Sequence, residues 1–149
     1  MYSFHWFSTN KNQADAQNDC IRRGGSLTSI LDQEENELLT SHVDGEYWIG
    51  LNDIKEENTW IWEDGQPFEF SNWDNGEPND YGSGEDCVTL NDKNGEWNDL
   101  DCDAERPYIC KYKSLEAAAT GRELYCDDCK AGGDGKYTVW YSPKTRYDA

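Results

Sequence analysis

Glu77-Pro78-Asn79-Asp80-Tyr81-Gly82-Ser83-Gly84-Glu85-Asp86-Cys87, followed after a short interval by Trp97-Asn98-Asp99, is the stretch on which the reading of this 149-residue chain turns. It closes a longer tract, Glu63 to Asp86, rich in Gly, Pro, Asn, Asp and Ser and without apolar periodicity. A tract of that length inside a compact domain is functional or disordered, and its aromatics Phe68, Phe70, Trp73 and Tyr81 favour a packed loop. Candidate ligands fall in three groups: Asp53 and Glu57; Glu77, Asn79 and Asp80 with Glu85 and Asp86; and Asn98 with Asp99. Any single Asn-Asp or Asp-Gly pair is an ordinary turn. Carboxylates mixed with side-chain amides are nevertheless what Ca²⁺ selects, since it takes oxygen ligands in irregular geometry. An amide that coordinates through oxygen still donates through its NH₂, and a carboxylate has a second oxygen with which to accept. A cation ringed by such groups offers donors and acceptors together, and the matching third party is a vicinal diol.

The rest of the composition narrows the alternatives. Thirty-one Asp+Glu against 13 Lys+Arg give a net charge of −18, which repels nucleic acid and anionic membrane surfaces. Seven Trp, nine Tyr and four Phe are too many for a solvated acidic coil, so the chain folds. No apolar run is long enough to span a bilayer, and direct membrane insertion is not expected. His5 and His42 are far apart and neither has a cysteine at ligand spacing, which argues against zinc. Asn91 to Glu96 imitates a Ca²⁺-binding helix-loop-helix motif, but placing Gly95 at its sixth position puts Leu90 at its first. Six cysteines, Cys20, Cys87, Cys102, Cys110, Cys126 and Cys129, read as a disulfide framework from an oxidising compartment. Their pairing is open at this level, although Cys126 and Cys129 suit a local disulfide better than a redox motif. Met1 to His5 lacks a signal-peptide pattern, which leaves a cytosolic chain or one whose leader was removed; the disulfide framework selects a secreted or extracellular chain in mature or recombinant form.

Around the acidic loop the pattern is α+β. Tyr2 to Phe7 suits a strand, and Gln13 to Arg23, with Ala14, Ala16 or Gln17, Cys20 and Ile21 at helical spacing, ends on Gly24-Gly25 as a helix does. Leu27 to Ile30 is a strand candidate. Asp32 and Glu35 form a capping box for a second helix running to about His42, with Leu31, Leu38 and Leu39 as its buried face. Further strands are expected at Tyr47–Leu51, Trp60–Trp62, Cys87–Leu90 and Pro107–Tyr112. Trp48, Trp60, Trp62 and Trp97 lie among apolar neighbours and belong to the core. From Ser114 the text changes: Leu115 to Ala119 resembles a cloning-site junction, and 114–149 reads as an appended tail with its own Cys pair and a strand-like run, Tyr137 to Tyr141.

Trp48-Ile49-Gly50-Leu51, Glu77-Pro78-Asn79, Trp97-Asn98-Asp99 and the order of Cys20, Cys87, Cys102 and Cys110 resemble the C-type lectin family over about Tyr2 to Lys113, and Glu77 to Cys87 resembles its mannose-binding members. The resemblance implies disulfides Cys20–Cys110 and Cys87–Cys102 and a carbohydrate-recognition domain at 1–113 in its short form. It implies that Glu77, Asn79, Glu85, Asn98 and Asp99 hold a principal Ca²⁺ that binds sugar directly. A second Ca²⁺ carries over to Asp53, Glu57, Asp80 and Asp86, with Glu85 shared. The Glu77–Pro78 bond is expected to be cis, as in the family, and Tyr81, which follows the ligand triplet in a loop with Gly82 and Gly84, is expected either to touch the sugar or to pack the loop.

The function expected is calcium-dependent binding of glycans with equatorial 3- and 4-hydroxyls, namely mannose, N-acetylglucosamine, fucose or glucose, by a module that is not an enzyme. The alternatives are a lectin-like module for protein or ice and, less favoured, a glycosidase, whose paired acids cannot donate protons while committed to Ca²⁺. Shallow single sites would gain from clustering into an oligomer, although no heptad repeat is present.

Overall fold

The computed structural model describes residues 2–78 and 84–113 in full, and residues 124–125 and 135–141 as backbone strands. Among the described residues the elements run β1 (Tyr2–Lys11), α1 (Gln13–Arg22), β2 (Ser26–Leu27), α2 (Gln33–Thr40), β3 (Tyr47–Asn52), β4 (Ile61–Trp62), β5 (Cys87–Leu90), β6 (Trp97–Leu100), β7 (Arg106–Lys113), β8 (Leu124–Tyr125) and β9 (Gly135–Tyr141). The main strand order is β6-β5-β3-β7-β1-β9-β8, with β2 on β7 and β4 on β3. This is the α+β arrangement that the segregated pattern implies. No described helix is long and apolar enough to cross a membrane.

β3 organises the domain. Every residue of Tyr47-Trp48-Ile49-Gly50-Leu51-Asn52 is buried, as a continuous apolar run covered on both faces should be. It pairs antiparallel with β4 and β5, and parallel with β7 at Trp48 and Tyr108. Gly50 is required there: a Cβ would lie 2.6 Å from the Leu27 carbonyl oxygen, and the Gly50 amide donates to Thr28 at 2.8 Å. β1 and β7 pair from Tyr2↔Lys113 to Phe7↔Tyr108, bringing the two ends of this region together. The implied disulfides are both present, Cys20–Cys110 tying α1 to β7 and Cys87–Cys102 tying β5 to the turn after β6. Closing loops of 90 and 15 residues removes unfolded-state freedom worth about 4 to 5 and about 3 kcal/mol in the chain-entropy view.

The helices depart from the sequence reading in detail. α1 is capped by Asn12, whose side chain accepts from the Asp15 amide, and buries Gln13, Ala16, Asp19 and Cys20. Ile21, expected inside, is 56% exposed. The place is taken by Asp19, which accepts from Tyr108 Oη at 2.5 Å, from Arg23 Nε at 3.0 Å and from Arg22. Burial alone would raise its pKa, but these donors and the Arg23 and Arg22 charges outweigh burial and hold it below the ordinary carboxylate value. α2 is half of a capping box: Asp32 Oδ1 accepts from the Glu35 amide at 2.8 Å, while the Glu35 carboxylate accepts from Lys111 Nζ at 2.6 Å inside the domain. The Glu35 and Lys111 side chains are only 1% and 3% exposed, and Ser29 Oγ, 3.0 Å from Lys111 Nζ, completes the group. Of the expected apolar face, Leu39 is buried and Leu38 packs on the core from its edge. The second expected strand shrinks to Ser26–Leu27, and Trp60 precedes β4 rather than beginning it.

Candidate functional site

The long loop is moored to the core by its aromatics. Phe68 meets Trp62 edge-on at 6.2 Å, and Phe70 and Trp73 meet Trp97 edge-on at 5.8 and 5.9 Å, separations typical of favourable aromatic pairs. Trp48, Trp62 and Trp97 are buried, as a core role demands. Trp73 also forms an isolated parallel bridge with Trp97: the Trp97 amide donates to the Asn72 carbonyl at 2.9 Å, and the Asp74 amide to the Trp97 carbonyl at 2.8 Å. A turn follows in which the Glu77 amide donates to the Asp74 carbonyl at 2.9 Å. The Glu77–Pro78 bond is cis. This limb therefore delivers Glu77 beside β6, which carries Asn98 and Asp99.

Carboxylate oxygens of Glu77, Glu85 and Asp99 all lie within 4.8 Å of one another. Asp99 is fully buried, on the β6 residue that pairs with Val88 of β5, and Asn98 is its half-buried neighbour, opposite Thr89. Glu77 titrates far above its usual value, at about 7, because of burial first, then its hydrogen bond to Asp99 and the Asp99 and Glu85 charges. Asn79, Asp80 and Tyr81 lie outside the described residues.

A second group forms next to the first. Carboxylate oxygens of Asp53, Glu57 and Asp86 again lie within 4.8 Å of one another. Asp53, 2% exposed at the end of β3, donates its amide to the Asp86 carbonyl at 3.0 Å, and its Oδ2 accepts from the Asn58 amide at 2.9 Å. Glu85 and Asp86 are consecutive, so the short segment before β5 feeds one carboxylate to each group. The structure groups Glu85 with Glu77 and Asp99, and Asp86 with Asp53 and Glu57.

Both groups suit a hard cation. Oxygens at opposite sides of a Ca²⁺ ion lie about 4.6–5.2 Å apart, and the oxygens of each cluster fall within 4.8 Å. Without a cation, three like charges at this spacing repel by on the order of 3 kcal/mol per pair at an effective dielectric of about 20. In the second group, Asp86 Oδ1 is buried with no hydrogen-bond partner among the described residues, the state of an oxygen shaped for a ligand.

Three supporting residues escaped the sequence reading. Glu63 Oε1 accepts from Asn52 Nδ2 at 2.7 Å and from Gln13 Nε2 at 3.1 Å, fixing the strand end from which Asp53 projects. Asn36 on α2 binds Trp97 and the Gly95 carbonyl, and Asn72 binds the same carbonyl. An amide or carboxylate with a distant partner leaves no local sequence signal, although a polar residue at a core-facing helical position, as Asn36 is, is the nearest thing to one.

Among the described residues the scaffold is α+β with short strands, two disulfides and a long acidic loop. The Lectin C-type domain model matches residues 9–112, and the chain belongs to that family. C-type mannose receptor 2 of Rattus norvegicus is 36% identical over 133 residues, covering 87% of this chain and 8% of the receptor, so the chain spans a small part of that protein. The cow C-type carbohydrate-recognition domain of CD23, solved in the presence of GlcNAc2Man3 oligosaccharide, superposes with a TM-score of 0.73 at 36% identity, over 76% of this chain and 89% of that one. A calcium-independent type II antifreeze protein superposes with a TM-score of 0.72 at 30% identity, over 76% of this chain and 88% of that one.

Proposed function

We propose that the protein binds glycans in a calcium-dependent manner, taking sugars with equatorial 3- and 4-hydroxyls: mannose, N-acetylglucosamine, fucose or glucose. The observation that carries this reading is the convergence of Glu77, Glu85 and Asp99 within 4.8 Å on a loop moored to the core. A bound Ca²⁺ would supply two coordination positions to a vicinal diol. Glu77 and Glu85 each keep an oxygen to accept the hydroxyl protons, and Asn79 and Asn98 each have an NH₂ to donate to the hydroxyl lone pairs. Tyr81 is assigned to the sugar's apolar face. Asp53, Glu57, Asp80 and Asp86, with Glu85 shared, are assigned to a second, structural Ca²⁺ that braces the loop. Carboxylates engaged with the ion are unavailable for acid catalysis, so the module binds rather than cleaves.

The likeness to the cow carbohydrate-recognition domain, solved in the presence of GlcNAc2Man3 oligosaccharide, supports a glycan as ligand. The disulfides fit an extracellular setting, and weak single sites favour clustering for avidity. We assign the recognition unit to 1–113 and treat 114–149 as appended. A second reading, a surface for ice or protein, is favoured by the likeness to the antifreeze protein. Passage over mannose resin with Ca²⁺ and with EDTA separates them: retention only with Ca²⁺ supports the first reading, and passage through under both conditions overturns it.

A further inference from the structure

We infer that Asn36, on α2 and outside every ligand group, is a positioning residue that sets the geometry of the Glu77–Glu85–Asp99 cluster; this rests on the calcium reading above. Asn36 is 1% exposed, and both ends of its amide are engaged. Its Oδ1 accepts from Trp97 Nε1 at 2.8 Å, and its Nδ2 donates to the Gly95 carbonyl at 3.0 Å. Trp97 immediately precedes Asn98 and Asp99, and Gly95 ends the turn that leads into β6. The amide thus grips β6 at two points, from a rigid helix, just before its ligands begin.

The same two points register the other limb of the site. Asn72 Nδ2 donates to the Gly95 carbonyl at 2.7 Å, the Trp97 amide to the Asn72 carbonyl at 2.9 Å, and the Asp74 amide to the Trp97 carbonyl at 2.8 Å. One hydrogen-bonded turn later comes Glu77. Glu77 and Asp99 are distant in sequence and meet because both limbs are pinned at Gly95 and Trp97. The packing leaves no slack there: a Cβ on Gly95 would lie 2.6 Å from Asn36 Nδ2 and 2.4 Å from Thr40 Oγ1, on a backbone with φ +64°. The second cluster hangs on β3 and the segment before β5, whereas the Asn36 side-chain hydrogen bonds among the described residues run to Gly95 and Trp97. Asn36 should therefore act selectively on the principal cluster.

The test is calorimetric Ca²⁺ titration of Asn36→Ala in two backgrounds, Glu57→Ala to isolate the principal cluster and Glu77→Ala, which removes a ligand assigned to the principal cluster alone, to isolate the second. Expected is a loss of principal-cluster affinity between about tenfold and a hundredfold, as for outer partners of metal ligands, with second-cluster affinity within about twofold. An unchanged principal affinity in a folded variant overturns the inference, as does an equal loss in both clusters. No Ca²⁺ uptake by the unsubstituted protein overturns instead the calcium reading on which it rests. Where Asn36→Ala is unfolded at the assay temperature, Asn72→Ala, which removes the other donor to Gly95, replaces it: a selective loss sustains the mechanism, and none overturns it.

Discussion

Glu85→Gln should change the sign of its effect on stability with calcium. In the calcium-free protein the Glu85 carboxylate lies within 4.8 Å of those of Glu77 and Asp99. Each pair repels by on the order of 3 kcal/mol at an effective dielectric of about 20. Solvent screening at this half-buried site and partial protonation of Glu77, which titrates at about 7, reduce the recoverable part to about 1 kcal/mol. The isosteric amide removes that repulsion, so the calcium-free variant should melt higher by about 3–6 °C. With calcium in excess the variant has lost a charged ligand and should melt lower than the unsubstituted protein. Melting curves of both proteins at pH 7.5, with Ca²⁺ and with EDTA, give the four values needed. Shifts of the same sign in both media would refute the account of the cluster as a crowded cation site. The pH course of this group's contribution follows: a carboxyl whose folded pKa is raised binds its proton more tightly in the folded state, so the stability that Glu77 contributes without calcium is fully present below its unfolded value and is lost as pH rises through about 7, whereas Asp19, held below the ordinary carboxylate value, loses its contribution as pH falls. With calcium the course reverses in acid, because protonation competes with the ion.

Exchanging Glu77 for Gln and Asn79 for Asp keeps the oxygen count and net charge but interchanges donor and acceptor around the diol; competition assays should show preference moving from mannose toward galactose, each mispaired hydroxyl costing about 1–3 kcal/mol. Lys111→Met should destabilise the domain by about 3–5 kcal/mol in denaturant titrations, because Glu35 is left buried and raised in pKa by burial, whereas adding Glu35→Leu should recover much of the loss. Truncation after Lys113 should leave calcium uptake intact, since every assigned ligand lies upstream. It also uncovers the β1 edge on which β9 pairs from Tyr2↔Tyr141 to His5↔Thr138, so concentration-dependent self-association should appear in sedimentation.

The scaffold was legible where one local rule decided the outcome. The unbroken apolar run of Tyr47 to Leu51 announced a strand buried on both faces, and the order of cysteines with Glu77, Asn79, Asn98 and Asp99 announced the family. What stayed hidden depends on partners far away. Glu35 and Lys111 are 76 residues apart, and Asp19 and Tyr108 are 89 apart. Helical periodicity therefore gave Ile21 the inward position that Asp19 occupies, because hydropathy has no means of crediting a carboxylate with three donors. β6 was absent from the expected strands because Trp97-Asn98-Asp99 reads as ligands before it reads as a ladder. Asn36 and Glu63 gave no warning of their partners for the same reason.

Glu85 and Asp86 stand on adjoining Cα atoms, about 3.8 Å apart across a planar peptide, yet each belongs to a different acidic group. A rigid link that short makes the two groups thermodynamically dependent. On the proposed reading, an ion held by Asp86 fixes the orientation of the peptide that presents Glu85, so the ordering cost of the neighbouring site is already met when its own ion arrives. By reciprocity the principal site favours the second to the same degree. Sugar binding would then rise with calcium more steeply than a single-site curve, turning a gradual change in ion concentration into a sharper change in glycan capture.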